Sequence, residues 1–317
     1  MPKFSGRQAA RLRREVPVFN MQPMPQQFCG LPIERDVPMR TLTTFRLGGP
    51  ADFVLRAQEE DQVLFAYRAA RELGIPVYAI GNGSNLIVRD GGIRGLVIVI
   101  GERMASVKRE GTLLTAGAGI PLTDLAWEAV RLGLGGLEWA CGIPGTLGGA
   151  CAMNAGAYGG EMKQVLKSVR YLEDGHIFEK GISDGEMGYR TSAYCAPERI
   201  VLSAALALIP DDGGAKDRQE DYLARRREKQ PLEYPSAGSV FKRPPGCFAG
   251  ALIESAGLKG LRVGGAEVSV KHAGFILNTG DATAGDVLQL IDQVKERVWK
   301  AHGVELHCEP KIWGEDE

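Results

Sequence analysis

Two apolar periods alternate along most of this chain, and the segment before about Asp36 shows neither. There RQAARLRREV at Arg7–Val16 suits a short basic helix, and the Pro-, Gln- and Met-rich stretch after it reads as a loosely docked extension. From Thr44 the pattern becomes regular. FVLRA, a helical pattern over Glu60–Leu73, the apolar PVYAIG and LVIVI predict strands alternating with a helix, as in an α/β unit. LLTAGAG then leads into a helix over Leu122–Leu132, announced by Pro121 and the polar Thr123 and Asp124. Strands expected at Ser168–Leu172, His176–Glu179 and Ile200–Ala207 make the following unit β-rich. Residues 210–230 are so charged that they read as a linker entering an exposed helix. Beyond them lie FAGALIESAGLKG, a helix closed by glycine, the strand FILNTG, and an amphipathic helix over Ala284–Ala301. The fold class is therefore mixed α/β and α+β, divided at 1–36, 37–101, 102–210 and 211–317.

Composition narrows the function. A chain of 317 residues with 44% hydrophobic positions has ample core for more than one domain. Its formal net charge of -1 gives no whole-molecule attraction to nucleic acid, so any anionic ligand must be held locally. Six cysteines without CxxC spacing, and no apolar stretch near the ~20 residues of a membrane helix, point to reduced thiols in a soluble, cytoplasmic protein without a metal. The 42 glycines fall in clusters, which favours ligand loops over disorder.

Two clusters stand out. GNGSNL at Gly81–Leu86 follows a strand and lets consecutive backbone N–H groups converge on an anion, although it has the spacing of neither GxGxxG nor a lysine-bearing P-loop. Taken alone, a plain turn explains it equally well. GIPGTLGGA at Gly142–Ala150 is a second small-residue loop able to approach a flat ring or a pyrophosphate, and the pair favours a cradle. GSVFKRP at Gly238–Pro244 places the Ser239 hydroxyl beside Lys242 and Arg243, a proton donor next to cations. MGYRTSAY holds Tyr189 and Arg190, VSVKHAGFILN holds Lys271, His272 and Asn278, and LHCEPKIWG holds Glu309. On their own these are ordinary surface, turn or packing residues.

Together, GNGSNL, GIPGTLGGA, GSVFKRP and LHCEPKIWG, recurring in order from about Pro38 to the end of the chain, resemble the UDP-N-acetylenolpyruvoylglucosamine reductase family of flavoenzymes. The resemblance implies a two-part FAD-binding domain of the vanillyl-alcohol-oxidase (PCMH) type plus a smaller α+β substrate domain. TTFRLGGPAD at Thr43–Asp52 matches the family's entry into the flavin domain. It further implies noncovalent FAD, with Gly81, Asn82, Gly83, Ser84, Asn85 and Leu86 near the pyrophosphate and Gly142, Ile143, Pro144, Gly145, Thr146 and Gly148 near the flavin and ribityl chain. Arg190, Ser239 and Glu309 match the family's catalytic residues, with Glu305 as the alternative to Glu309. Tyr189, Lys242, Arg243, Lys271, His272 and Asn278 are candidates for binding substrate; Arg243 stands where some members carry asparagine. The implied partners are NADPH and a UDP-sugar, handled by a monomer. The run from GYRTSAY to the last domain leaves no room for the insertion that carries a tyrosine loop in longer members, so the chain looks like the shorter type. A flavin-dependent oxidase or dehydrogenase acting on an alcohol or sugar, and a flavin-binding protein without turnover, are the alternatives.

Overall fold

A computed structural model describes residues 25, 28, 30–183 and 185–316, so the expected basic helix at 7–16 lies outside the described residues. The first sheet runs in the order Ile33–Pro38, Pro50–Ala57, Ile93–Ile100, Val77–Ile80. Pro50–Ala57, Ile93–Ile100 and Val77–Ile80 are parallel, and Ile33–Pro38 adds antiparallel to Pro50–Ala57. Residues 33–36, read from sequence as part of the extension, thus belong to the sheet, because backbone pairing there outweighs a charged sequence. Helix α1 (Glu60–Glu72) crosses between parallel strands. It buries Val63, Ala66, Tyr67 and Ala70, one stripe at helical spacing, and carries Glu60 and Asp61 in its first turn, where the helix dipole favours acid.

The second sheet is antiparallel throughout, in the order His176–Gly181, Leu166–Glu173, Arg199–Ala207, Leu113–Gly117, Val107–Glu110. Helices α2 (Leu122–Arg131) and α3 (Leu147–Met153) lie with it. One continuous core joins the two sheets, from Phe53, Leu55 and Ile98 to Leu114, Val169 and Leu202.

Helix α4 (Ala215–Lys229) departs from the expected exposed helix. Its Gln219 is fully buried and donates to the Ala126 carbonyl at 2.8 Å, and Arg218 pairs with the largely buried Glu138 at 2.7 Å. The helix is held to the second unit by these polar side chains together with Tyr222 and Leu223, which pack against its core, and in so charged a sequence these few apolar positions gave little sign of a buried face.

A separate core forms around Val240, Phe241, Ile253, Val268 and Ile276, covered by α5 (Ala249–Ser255) and α6 (Ala284–His302), and it takes in Phe45, Leu47 and Ile87 from the first half. Two further ties fix this third unit. Both carboxylate oxygens of Asp90 accept from the first amides of α6, Ala284 and Gly285, at 2.9 Å each. The closing strand Lys311–Trp313 adds parallel to Leu86–Val88, directly after the GNGSNL turn. The end of the chain is thereby sewn to the candidate cofactor loop.

Candidate active site

The two glycine loops meet. Asn82 Nδ2 donates to the Pro144 carbonyl at 2.9 Å, and a Cβ at Gly81 would overlap the Thr146 hydroxyl and stand 2.9 Å from its methyl, so only glycine permits this approach. The second loop is anchored from behind: Leu122 N–H donates to the Gly145 carbonyl, and the amides of Leu147 and Gly148 donate to Ile120 and Ala118, all at 2.9 Å. From Leu147 it continues as α3, a helix that the sequence reading left as loop. Among the described residues, the amide N–H groups of Asn82, Gly83, Ser84 and Asn85 have no protein acceptor. Four consecutive free donors beside a helix start form a concavity that suits a pyrophosphate.

These loops line a cavity of about 490 Å³ that also takes in Ala118, Met153, Tyr194 and Trp313. A larger one of about 1420 Å³ opens beside it, lined by Tyr158, the end of α4 at Arg225, Arg226 and Lys229, and the third unit's Phe248, Lys271 and His272. The residues common to both are Gly81, Asn82, Ile143, Pro144, Gly156, Arg190, Gly238, Ser239 and Glu309. The junction therefore joins a dinucleotide-sized cradle to a second ligand space, and Arg190, Ser239 and Glu309 all stand at it.

Three elements bring them there. Arg190 occupies the turn between the short strands Met187–Gly188 and Thr191–Ser192, held at φ 55°, a left-handed conformation that a non-glycine residue adopts at a cost of about 1 kcal/mol or more. Its Nε lies 3.1 Å from Glu309 Oε1 and its Nη2 donates to the Gly156 carbonyl at 2.8 Å. Glu309 is positioned by its own amide, which donates to the Val240 carbonyl at 2.8 Å, and by the strand that follows it. Its side chain is only 17% exposed, and burial raises its carboxyl above the usual range while Arg190 and Lys242 pull it back. Glu305 is exposed and lines neither cavity. Ser239 pairs across to Phe275, and its hydroxyl has one long contact, 3.5 Å to the Phe241 carbonyl, which leaves it free to turn into the cleft.

The remaining candidates divide. Tyr189, Arg243, Lys271 and His272 line the large cavity. Tyr189 Oη accepts from the Arg243 amide at 3.3 Å, and the Arg243 guanidinium sits 3.9 Å over the Phe248 ring. Lys271 Nζ donates to the Arg227 carbonyl at 2.8 Å, closing the end of α4. His272 Nδ1 accepts from the Gly274 amide at 3.1 Å, and burial lowers the imidazole's pKa, so it is neutral and held in place.

Lys242 and Asn278 require correction. Lys242 lines neither cavity: Ser239 and Phe241 share one face of the extended segment, the side chain of residue 242 takes the other, and it acts on the site through its charge on Glu309. Asn278 is buried away from the cleft, its amide donating to the Phe45 carbonyl at 3.2 Å and its oxygen accepting from Gly280 at 2.9 Å and Ala282 at 3.2 Å. It joins backbone segments and has no group left for a ligand. The sequence reading also missed Tyr158, Arg225, Arg226 and Lys229, which line the large cavity. Tyr158 sits among small residues that do signal a tight loop, whereas the α4 cations are indistinguishable from a solvated charge run.

Fold and cleft define a flavoprotein of the vanillyl-alcohol-oxidase type: residues 51–180 match the family model described as FAD binding domain, over the segment that contains both glycine loops. Residues 230–313 match the model for the C-terminal domain of UDP-N-acetylenolpyruvoylglucosamine reductase, and the chain is 50% identical over 283 residues to the enzyme of that name from Clostridium botulinum (strain Hall), covering 89% of this chain and 92% of the relative. The chain belongs to the UDP-N-acetylenolpyruvoylglucosamine reductase family. It is 46% identical over 291 residues to the Syntrophomonas wolfei reductase, covering 90% of this chain and 97% of that one. The solved structure of the Thermus caldophilus reductase superimposes with a TM-score of 0.78 at 36% identity, over 90% of this chain and all of that one. The protein is accordingly an FAD-dependent oxidoreductase that uses NADPH, and the sugar-oxidase alternative falls away. Its cradle fits the cofactor: close glycine approach and free backbone donors are what a dinucleotide pyrophosphate demands.

Proposed function

We propose that the chain reduces the enolpyruvyl ether of UDP-N-acetylglucosamine enolpyruvate to the lactyl ether of UDP-N-acetylmuramate, with Arg190, Ser239 and Glu309 acting on the enolpyruvyl group. The observation that carries this reading is the meeting of those three side chains where the two cavities join. When bound, FAD would supply the hydride-transfer chemistry between NADPH and the terminal vinyl carbon. Gly81–Leu86 and Gly142–Gly148 hold that cofactor, and the larger cavity takes NADPH and the UDP-sugar in turn.

The protein's part is orientation and charge. Arg190 presents a planar guanidinium to the substrate carboxylate, which becomes an enediolate as the hydride arrives. Glu309, whose burial raises its carboxyl above the usual range, shares a proton with that same group. Ser239 gives its hydroxyl proton to the carbon bearing the ether oxygen. Tyr189, Arg243, Lys271 and His272 form the wall against which the nucleotide lies. Uridine stacking or phosphate contacts from Arg225, Lys229 and the Arg243–Phe248 pair close a site that lacks a long tyrosine loop. The reading includes a cytoplasmic, monomeric enzyme, in keeping with one chain supplying every wall of the cleft and with the free thiols of Cys141, Cys151, Cys195, Cys247 and Cys308.

The test is product analysis in deuterium oxide. With NADPH and the enolpyruvyl nucleotide, the product gains two hydrogens, and the one at the ether-bearing carbon is solvent deuterium. A product with both hydrogens from NADPH, or no turnover by fully loaded enzyme, would refute it.

A further inference from the structure

The guanidinium of Arg226 has no counter-ion. Only its Nε is used, donating to Gln230 Oε1 at 3.0 Å, and no carboxylate lies within ion-pair distance of it among the described residues. Its helix neighbour Arg225 is paired with Asp221 at 2.7 Å, and Arg190 is paired with Glu309. The side chain is only partly exposed, and desolvation lowers the guanidinium's pKa. A partly buried guanidinium that uses one of its five donors has four left to meet a negative group at the cavity wall.

Position indicates which group that is. A Cβ on Gly142 would meet Arg226 Cδ at 2.9 Å and Nη1 at 3.1 Å, so the glycine is what lets the side chain lie against the second cofactor loop. The next two residues, Ile143 and Pro144, line both cavities. Hydride passes between cofactor and substrate, so the reacting ring must lie at this junction, and the substrate carboxylate there is already assigned to Arg190. The groups facing Arg226 from the elements packed on it are the Tyr158 hydroxyl, which donates to the Tyr222 carbonyl at 3.0 Å, and the Cys141 thiol. Burial pushes both of these up, so neither supplies a negative charge near neutral pH.

We propose that Arg226 is the residue that tunes the flavin, stabilising the negative charge on the ring system after reduction and so raising its reduction potential. The inference rests on the functional reading above for where the ring lies. A fixed cation near the ring favours the reduced anion over the oxidised neutral form, whichever substrate then takes the hydride.

The test uses FAD-loaded protein and no sugar nucleotide, so its failure is distinct from failure of the proposed reaction. Reduction is equilibrated against a reference dye for wild type, Arg226→Met and Arg226→Lys. The methionine variant should shift the equilibrium at least about tenfold toward oxidised flavin, ~30 mV for two electrons, and the lysine variant by less than about threefold. A shift below twofold in loaded Arg226→Met would overturn the proposal. Should that variant load no FAD, the wild-type holoenzyme decides: after reduction, its spectrum should remain that of the anionic form to lower pH than free reduced FAD in the same buffer. Protonation at the same or higher pH would overturn it.

Discussion

Replacing Ser239 by alanine separates chemistry from folding. In the folded protein the hydroxyl contributes one 3.5 Å contact to a carbonyl, at the weak limit of a hydrogen bond, so its loss should cost at most about 0.5 kcal/mol of stability. The residue's Val240 neighbour is fully buried and the segment is held by the Val240 amide on the Gly274 carbonyl at 2.9 Å, neither of which the substitution touches. A general acid typically contributes ~10²–10⁴-fold, or ~2.7–5.4 kcal/mol of the barrier at 1.36 kcal/mol per tenfold. The loss should therefore be several times larger in rate than in stability, and confined to one half-reaction. Anaerobic stopped-flow absorbance reads both: bleaching by NADPH should proceed within about twofold of wild type, while return of the oxidised spectrum on adding the enolpyruvyl nucleotide should slow by at least ~10²-fold. Cysteine, a donor of similar size, should recover part of the rate. Equal slowing of both phases, or reoxidation within threefold of wild type, would refute the assignment of the proton to Ser239.

Arg190→Ala and Glu309→Gln should each slow reoxidation with FAD content unchanged, and the double variant should lose less than the product of the singles, because both groups act on one developing charge; independent multiplication of the two losses would contradict that. Glu309 has a folded pKa above its unfolded value, so its ionisation removes stability as pH rises from the unfolded through the folded pKa; the melting temperature of Glu309→Gln relative to wild type should rise from about pH 4 to pH 7, and a flat difference would contradict the burial effect. Gly81→Ala should abolish flavin loading while leaving the circular dichroism of the fold intact, since the new methyl occupies the space of the Thr146 side chain; normal yellow protein would show that the loops can part. Asn278→Ala should lower stability by ~2–3 kcal/mol, from buried carbonyls and amides left unpaired, yet leave KM for the nucleotide unchanged in the folded fraction.

The contrast between Asn278 and Ser239 shows where the sequence was informative. Loops built on glycine and proline declare themselves locally, because a close approach or a tight turn excludes most other residues, and both glycine loops were legible as close-approach turns for that reason. So were α1 and α6, whose buried stripes recur at helical spacing. Helix α4 was not, since its most buried long side chain is Gln219, which hydropathy counts as solvent-facing, and only Ala215, Tyr222 and Leu223 add apolar contact in a highly charged run. The roles of Lys242 and Asn278 depended on side-chain direction and on partners more than 60 residues away in Asn278's case, the Phe45 and Arg46 carbonyls, which no local pattern encodes. The pairing of Lys311–Trp313 with Leu86–Val88 is equally non-local, and it is what delivers Glu309 to the flavin loops.

The central claim is that one cleft binds FAD and passes a hydride from NADPH to an enolpyruvyl sugar nucleotide, and one absorbance experiment on the purified protein addresses it. Held anaerobically, the protein should show an oxidised flavin spectrum, lose it on addition of one equivalent of NADPH, and regain it on addition of one equivalent of UDP-N-acetylglucosamine enolpyruvate. Flavin that NADPH does not bleach, or bleached flavin that recovers only when oxygen is admitted, would contradict the account.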